Sequence, residues 1–355
     1  MITRELRHAI ARAAAAAGFP GTGDPGLRPT GTPGQYAASV ALSLGAGPRE
    51  TAAALAGTLA EADWISKAEV TGPGYLTVTV TPARLKAVAE DIAQAGSGCV
   101  TSDALAGQAV PAPPAGDPLA APGWEQARRA VAARLTARLA AAAGATVASH
   151  AGTERGRLTP ELEPLPAGRA SRPRSAAPGT EPGGGPGRPE TGAAAAELAD
   201  AVGYAGRDAV LFTLARAIPG KPVRVDPAII ARHVPGNPAY AVRYAHARAA
   251  SGVRWAVISR GDNSGELLLL DALSWLPERV AAAARRGRPD EFARYLEDLA
   301  SVTVDVLSSA AHPGKAGAPG SDRLAVARDA RTGLAAGLGL LEVTAPDRLL
   351  PEHGE

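Results

Sequence analysis

Residues 160–192 constrain the fold more than any other part of the sequence. This stretch is dense in Pro and Gly and has almost no large apolar side chains. A segment that buries little apolar area cannot offset the conformational entropy that folding removes, so we expect a flexible linker here. The chain of 355 residues is therefore predicted to fold as separate units on either side of it.

The first unit, residues 1–95, has the pattern of a small α+β domain. An amphipathic helix is predicted at Arg4–Ala17, and a second helix is predicted to begin at Pro48. Apolar and Thr residues alternate from Tyr75 to Thr81, which is the period of a half-buried strand. A Gly-Pro-Gly turn joins this strand to Lys67–Thr71, so the two segments are predicted to form a hairpin.

Residues 193–355 have the pattern of an all-helical bundle, and residues 96–192 connect the two ends. In the connecting region only residues 125–143 repeat apolar side chains at helical spacing. In the bundle, Gly and Pro separate the predicted helices. These are Ala193–Val202, Arg207–Ala217, Pro238–Ile258, Glu266–Arg285, Pro289–Ala310 and Asp322–Leu341.

Composition excludes several classes of protein. No run of apolar residues is long enough to span a membrane, so we expect a soluble, cytoplasmic protein without a membrane partner. The single cysteine, Cys99, excludes an internal disulfide and a thiolate zinc site, and the six histidines show no ligand spacing. No metal is therefore expected. The net charge of +2 does not indicate nucleic-acid binding by the chain as a whole.

A locally basic segment, residues 221–260, stands out against this near-neutral background. Its cations outnumber its single acid, Asp226, and they are Lys221, Arg224, Arg232, Arg243, Arg248, Arg254 and Arg260. At 100° per residue, one face of the predicted helix carries Arg243, His246 and Arg254, and another carries Tyr240, Tyr244 and Arg248. One face can contact RNA while the other contacts the bundle. The alternatives are core packing for Tyr240, Tyr244 and Trp255 and a structural role for His246. For the arginines they are an ion pair of Arg248 inside the bundle and a solvated face for Arg243 and Arg254.

Both ends of the chain carry strings of residues that resemble arginyl-tRNA synthetase. The N-terminal strings are Gly34-Gln35-Tyr36-Ala37-Ala38-Ser39, Pro48-Arg49-Glu50 and Gly72-Pro73-Gly74-Tyr75. They resemble the additional domain that this family places before its catalytic core. The resemblance implies a contact with the outer corner of tRNA, which makes Tyr36 a candidate RNA-binding residue. A place in the core of the domain is the alternative for Tyr36.

The C-terminal resemblance is stronger. It covers the string Asn237-Pro238-Ala239-Tyr240-Ala241-Val242-Arg243-Tyr244-Ala245-His246-Ala247-Arg248. Downstream, Asp329-Ala330-Arg331 and Ala345-Pro346-Asp347-Arg348 are similar to the family's DALR anticodon-binding domain. The resemblance implies that this bundle binds tRNA through Tyr240, Arg243, Tyr244, His246, Arg248 and Arg254, with Arg224 as a further basic contact.

The catalytic signatures of that family are absent. Class I synthetases hold ATP phosphates with a His-x-Gly-His turn at a helix start and with a Lys-Met-Ser-Lys loop, and neither string occurs here. Aligning the predicted helix 125–143 with the first catalytic helix places Gly123-Trp124-Glu125-Gln126 at the His-x-Gly-His position. Both histidines of the motif are thus absent, and the carboxylate of Glu125 lies where this family binds the ATP phosphates.

The sequence therefore favours a non-catalytic, tRNA-binding relative of arginyl-tRNA synthetase. The predicted architecture is an α+β domain at 1–95, a degenerate and partly disordered middle at 96–192, and a DALR-type helical bundle at 193–355. No cofactor is expected. Two alternatives stay open, namely an arginine–tRNA ligase with a degenerate site, which would need ATP and Mg²⁺, and a regulatory subunit whose bundle binds a protein partner.

Overall fold

The computed structural model describes residues 1–19, 23–44, 47–148, 191–255, 263–308 and 323–349. The predicted linker at 160–192 lies almost entirely outside these residues. Strands occupy β1 Arg28–Pro29, β2 Gln35–Ala38, β3 Ile65–Thr71, β4 Tyr75–Val80, β5 Ala109–Pro111 and β6 Thr146–Ala148. Helices occupy α1 Ile2–Ala16, α2 Pro48–Leu59, α3 Pro82–Lys86, α4 Val88–Ala95, α5 Trp124–Ala142, α6 Thr191–Ala205, α7 Arg207–Arg216, α8 Pro227–Ile230, α9 Pro238–Trp255, α10 Asn263–Ser274, α11 Leu276–Arg286, α12 Pro289–Ser308 and α13 Arg323–Leu340.

The N-terminal unit is an antiparallel sheet packed on helices, as predicted. Its strand order is β1-β2-β4-β3, and the predicted hairpin is β3 with β4, where Thr71 pairs with Tyr75. Leu76, Val78 and Val80 of β4 are buried in the core. The sequence did not indicate β1 and β2, which are too short to show an alternating pattern. β2 lies beside β4 and carries Tyr36 opposite Val78.

The middle region contributes one small βαβ unit. Strands β5 and β6 pair in parallel, and α5, the helix predicted at 125–143, connects them. Two arginines of α5 hold the end of α13. Arg138 donates hydrogen bonds to the carbonyls of Gly339 and Leu340, and Arg134 pairs with Glu342 at 2.7 Å. The Gly339 carbonyl also accepts the backbone N–H of Glu342, so α5 adds side-chain donors to the C-terminal end of α13.

The C-terminal unit is a helical bundle, and its helices follow the predicted order with one correction. The helix predicted at 266–285 is two helices, because Pro277 lacks the N–H that a continuous helix would need. The break leaves the carbonyl of Ser274 available, and it accepts a hydrogen bond from Thr3 Oγ1 at 2.9 Å. Helix α13 packs closely on α12, since a Cβ at Gly337 would come within 2.5 Å of Leu296.

The two end units contact each other directly through a buried polar junction. The Tyr36 hydroxyl, on β2, lies 3.2 Å from Oδ1 of Asp271 and 3.0 Å from Oγ of Ser274, both on α10. The same Asp271 oxygen accepts the backbone N–H of Gly34 at 2.9 Å. On α11, the buried Glu278 forms an ion pair with Arg7 of α1. The sheet and the bundle are thus joined without an intervening domain.

The carboxyl of Asp271 makes this junction sensitive to pH. Burial raises the pKa of Asp271 above its ordinary value of 3.8. The folded protein therefore binds a proton there more tightly than the unfolded chain does, and this group's contribution to stability falls as the pH rises above 3.8. An amide at this position keeps an acceptor for Gly34 and Tyr36 and removes the buried charge.

We predict that Asp271→Asn is at least as stable as the parent protein at neutral pH. The difference in free energy of unfolding between the variant and the parent should shrink toward pH values near 4, where the parent carboxyl is itself protonated. Urea denaturation at both pH values measures this, with Asp63→Asn, at an exposed carboxyl with no ion pair among the described residues, as the matched control. A variant that loses stability relative to the parent as the pH rises would contradict the prediction.

Candidate nucleic-acid interface

Asn237 organises the loop that leads into α9. Its side-chain amide donates to the carbonyls of Ile230, at 2.6 Å, and Arg232, at 2.8 Å. Its Oδ1 accepts the backbone N–H of Ala239 at 3.2 Å, which caps the helix, while Pro238 occupies the first turn. Asn237 is buried, so these bonds are shielded from water. The loop is thereby held in one conformation against the start of α9.

This arrangement produces a row of three stacked rings, which we call the aromatic ladder: His233, Tyr240 and Tyr244. The centroids of His233 and Tyr240 are 5.3 Å apart with an interplanar angle of 17°. Those of Tyr240 and Tyr244 are 5.7 Å apart at 18°. Both pairs have the spacing of offset stacking. The ladder lies at the surface, because His233 and Tyr244 are exposed and Tyr240 is half-buried.

Three exposed arginines lie on α9 or on the segments that precede it. Arg248 follows Tyr244 by one helical turn, Arg232 precedes His233 in the loop, and Arg224 lies before α8. Among the described residues, none of these guanidinium groups forms an ion pair or a side-chain hydrogen bond. Stacked aromatic faces beside unpaired cations are the arrangement that binds unstacked bases and phosphates of single-stranded nucleic acid.

The opposite face of α9 holds the bundle together. His246 is 2% exposed, and its Nδ1 lies 2.9 Å from the carbonyl of Pro346. Burial lowers the pKa of His246 below 6.5, so the ring is neutral at neutral pH. Arg243 lies 3.7 Å from Asp208 of α7, and Arg254 donates to the carbonyl of Asp347 at 2.9 Å. The structure thus gives His246 and Arg243 structural contacts and leaves only Arg254 of this face exposed.

Tyr36 does not lie with the other candidate residues. Its side chain is fully buried in the junction with α10, and its ring packs against Trp275 with centroids 5.2 Å apart. Burial also raises the pKa of its hydroxyl. No surface of the ring is available to a nucleobase. Tyr36 therefore lies in the core, and the RNA contact predicted for it is wrong.

His233 was not predicted from the sequence. Its only signal is its position four residues before Asn237, and the sequence does not show that the loop folds back onto Tyr240. That contact depends on the three hydrogen bonds of the Asn237 side chain, which join backbone atoms that no periodicity predicts.

The N-terminus of α5, where the aligned family would hold phosphates, is occupied by protein groups. Glu125 Oε1 accepts the backbone N–H of Val223 at 2.8 Å, and its Oε2 accepts from Arg128 at 3.1 Å. The hydrogen bond from Val223 lowers the pKa of Glu125, so a carboxylate stands at the positive end of the helix dipole. An anion entering there would meet a negative charge.

Two further features bear on the kind of site present. Within the described ranges, no group of three or more His, Cys, Asp or Glu side chains is arranged to hold a metal ion. None of the helices among those residues is long and apolar enough to cross a membrane.

Comparison with known proteins gives the same assignment for both ends of the chain. A family model described as the DALR anticodon binding domain matches residues 242–349, which include most of α9 and all of α10 to α13. A model described as the arginyl tRNA synthetase N terminal domain matches residues 4–80. The helical unit is therefore similar to the DALR anticodon binding domain.

The curated proteins most similar over part of this chain include arginine–tRNA ligases. An arginine–tRNA ligase of Micrococcus luteus is 34% identical over 172 residues, which are 43% of this chain and 31% of that protein. One from Paenarthrobacter aurescens is 34% identical over 167 residues, which are 43% of this chain and 30% of that protein. The matched part thus spans less than one third of the length of these relatives. The chain is related to the arginyl-tRNA synthetases.

A solved structure of the Thermus thermophilus arginyl-tRNA synthetase shares the fold. Its TM-score to this chain is 0.63 at 16% sequence identity, and the match covers 98% of this chain and 100% of that one. At this identity the match concerns the fold alone. The predicted fold class, with an α+β domain first and a DALR-type helical region last, is confirmed.

We predict that Asn237→Ala destabilises the C-terminal unit by about 1–3 kcal/mol, because two buried carbonyls lose their donor and α9 loses its cap. Asn237→Ser is the matched control, since it keeps a capping oxygen and loses the amide donors without adding a charge, so it should destabilise the unit less than Asn237→Ala does. Chemical denaturation of both variants measures this. An Asn237→Ala protein as stable as the parent would show that the loop does not depend on this side chain.

Proposed function

We propose that the protein is a non-catalytic, tRNA-binding relative of arginyl-tRNA synthetase, and that it binds arginine-accepting tRNA or an RNA of similar anticodon loop. The observation that carries this proposal is the exposed aromatic ladder with three unpaired arginines, located in a domain of the anticodon-binding type. Binding of tRNA would place the protein in the cytoplasm.

The ladder offers a defined way to bind an unstacked loop. Its rings already contact one another, so a base stacks on the outer face of Tyr244 rather than between two rings. Arg248 lies one turn further along α9, where its guanidinium can cover the other side of that base. Arg224 and Arg232 then lie where phosphates of the same strand can pass. Each base that stacks on an aromatic ring contributes about 1–3 kcal/mol.

The non-catalytic part of the proposal is supported by what replaces the nucleotide site. The sequence contains neither ATP-binding signature, and Glu125 stands at the helix start where a phosphate would need donors. Without such donors, the several kcal/mol by which they stabilise the transition state are lost. ATP and Mg²⁺ are therefore not proposed as ligands of this chain.

We predict that Tyr244→Ala weakens binding of an arginine-accepting tRNA by about 5- to 150-fold, which corresponds to the loss of one stacked base. Tyr244→Phe keeps the ring and should bind almost as well as the parent. Tyr204→Ala is the matched control, because Tyr204 is 66% exposed on α6 and lies outside the ladder. Fluorescence anisotropy at physiological salt gives the affinities. If Tyr204→Ala and Tyr244→Ala lose the same amount of tRNA affinity, or if the parent protein binds a generic single-stranded RNA more tightly than tRNA, the ladder is not the RNA-binding site.

We also predict that arginine-dependent exchange of pyrophosphate into ATP stays at background level with the full-length chain and tRNA present. An intact arginine–tRNA ligase assayed in parallel serves as the positive control. Exchange above background would support the degenerate-enzyme alternative and refute the non-catalytic proposal.

A protein-binding role is a second candidate, favoured by apolar side chains exposed near the ladder. Ile229 is 54% exposed and Val234 is 45% exposed. A stoichiometric protein partner that stays bound after nuclease treatment, together with no tRNA binding, would favour this role over the first.

A further inference from the structure

A cavity of about 370 Å³ opens beside the loop that carries His233. Its walls come from the end of α7, the segment 217–225, helix α8, the start of α9, and Arg294 of α12. Its volume lies at the small end of the range typical of ligand pockets, about 300–1,000 Å³. It suits one small planar group and is too small for a helix or a duplex.

The charges around the cavity favour an anionic ligand. Four cations line it, and two of them are already neutralised. Arg216 pairs with Glu297, and Arg294 pairs with Asp290 at 2.7 Å. The other two, Lys221 and Arg224, form no ion pair and no side-chain hydrogen bond within the described part of the chain. Lys221 and Arg224 are exposed, so an incoming phosphate can reach both.

The inner walls of the cavity are apolar. Ile218, Val223 and Ile230 line it, and no carboxylate side chain is among its lining residues. An apolar slot with cations at its opening matches a nucleotide, whose flat base avoids water and whose phosphate seeks positive charge. A small inorganic anion alone would not contact these apolar side chains.

The cavity and the aromatic ladder share one structural support. Asn237 lines the cavity, and its side chain holds the carbonyl of Ile230, which also lines the cavity. The same side chain holds the carbonyl of Arg232, next to His233 of the ladder. A strand that stacks on the ladder therefore needs to cross only this loop to place its next base in the cavity.

We propose that this cavity binds a single unstacked nucleotide of the RNA that the aromatic ladder contacts, with the base against Ile218, Val223 and Ile230 and its phosphate between Lys221 and Arg224. The proposal rests on the proposed function and extends it from a surface that stacks bases to a pocket that selects one of them.

The first experiment uses isolated nucleotides and the full-length protein. Each of the four ribonucleoside 5′-monophosphates, and inorganic phosphate, is titrated by calorimetry. At least one monophosphate should bind tenfold or more tightly than phosphate. The double variant Lys221→Glu/Arg224→Glu should lose that binding by at least tenfold, and Arg12→Glu/Lys86→Glu, which makes the same charge change at exposed sites of α1 and α3, should retain it. Equal affinity for phosphate and every monophosphate, or equal loss in both double variants, would overturn the proposal.

The second experiment uses arginine-accepting tRNA and a variant that fills the cavity. Ile230→Trp leaves both cations in place and should weaken tRNA binding by at least tenfold. Lys221→Glu/Arg224→Glu should do the same and reduce the log-log salt slope by about 0.7, the value for the one phosphate that the variant no longer neutralises. Thermal unfolding of each variant shows whether it folds, and the charge variants, at exposed positions, remain informative if Ile230→Trp does not.

The two proposals fail differently. If the parent protein binds tRNA and both cavity variants bind it equally well, the cavity proposal is refuted and the proposed function stands. If the parent protein does not bind tRNA, the proposed function is refuted, and the cavity proposal fails with it.

Discussion

The buried junction between β2 and α10 is the interaction on which the arrangement of the two end units depends. One carboxylate oxygen of Asp271 accepts hydrogen bonds from a backbone N–H and from the Tyr36 hydroxyl, both of the N-terminal sheet. The ion pair between Arg7 and Glu278 joins α1 to α11 beside it. Buried polar groups of this kind stabilise only one relative position of two surfaces, because any other position leaves them without partners.

This junction joins the two end units of the described structure directly. The relatives that the chain matches are more than three times as long as the matched segment, since that segment covers 31% of the Micrococcus luteus protein. Here the α+β unit packs directly on the helical bundle, and α5, in its small βαβ unit, caps the end of α13 through Arg138. The small βαβ unit thus stabilises the bundle, and at the start of α5 Glu125 accepts the backbone N–H of Val223.

Helix α9 shows how much of the candidate site the sequence could predict. Its periodicity separated the Tyr240–Tyr244–Arg248 face from the face with Arg243 and His246, and the structure contains both faces. The sequence could not tell which face turns inward, because both mix aromatic or imidazole rings with arginine. The deciding contacts are to Asp208 and Pro346, which come from distant parts of the chain.

Other features that could not be predicted from the sequence also depend on contacts between distant parts of the chain. The hairpin and most helices follow local patterns and were predicted correctly. Strands β1, β2, β5 and β6 have two to four residues each and show no period, so only tertiary pairing reveals them. The break between α10 and α11 had a local signal in Pro277, which the apolar periodicity on both sides obscured. The buried position of Tyr36 depends on α10, more than 230 residues away in sequence.

We propose that this chain binds tRNA through its DALR-type helical bundle without forming an adenylate. The most direct measurement is crosslinking of the protein to RNA in its own cells, followed by sequencing of the bound RNA. The account predicts that anticodon loops of arginine-accepting tRNAs are enriched over their abundance, and that the crosslinked peptides include α9. Recovery of tRNA fragments only in proportion to their abundance, with no preference for the anticodon loop, would contradict it.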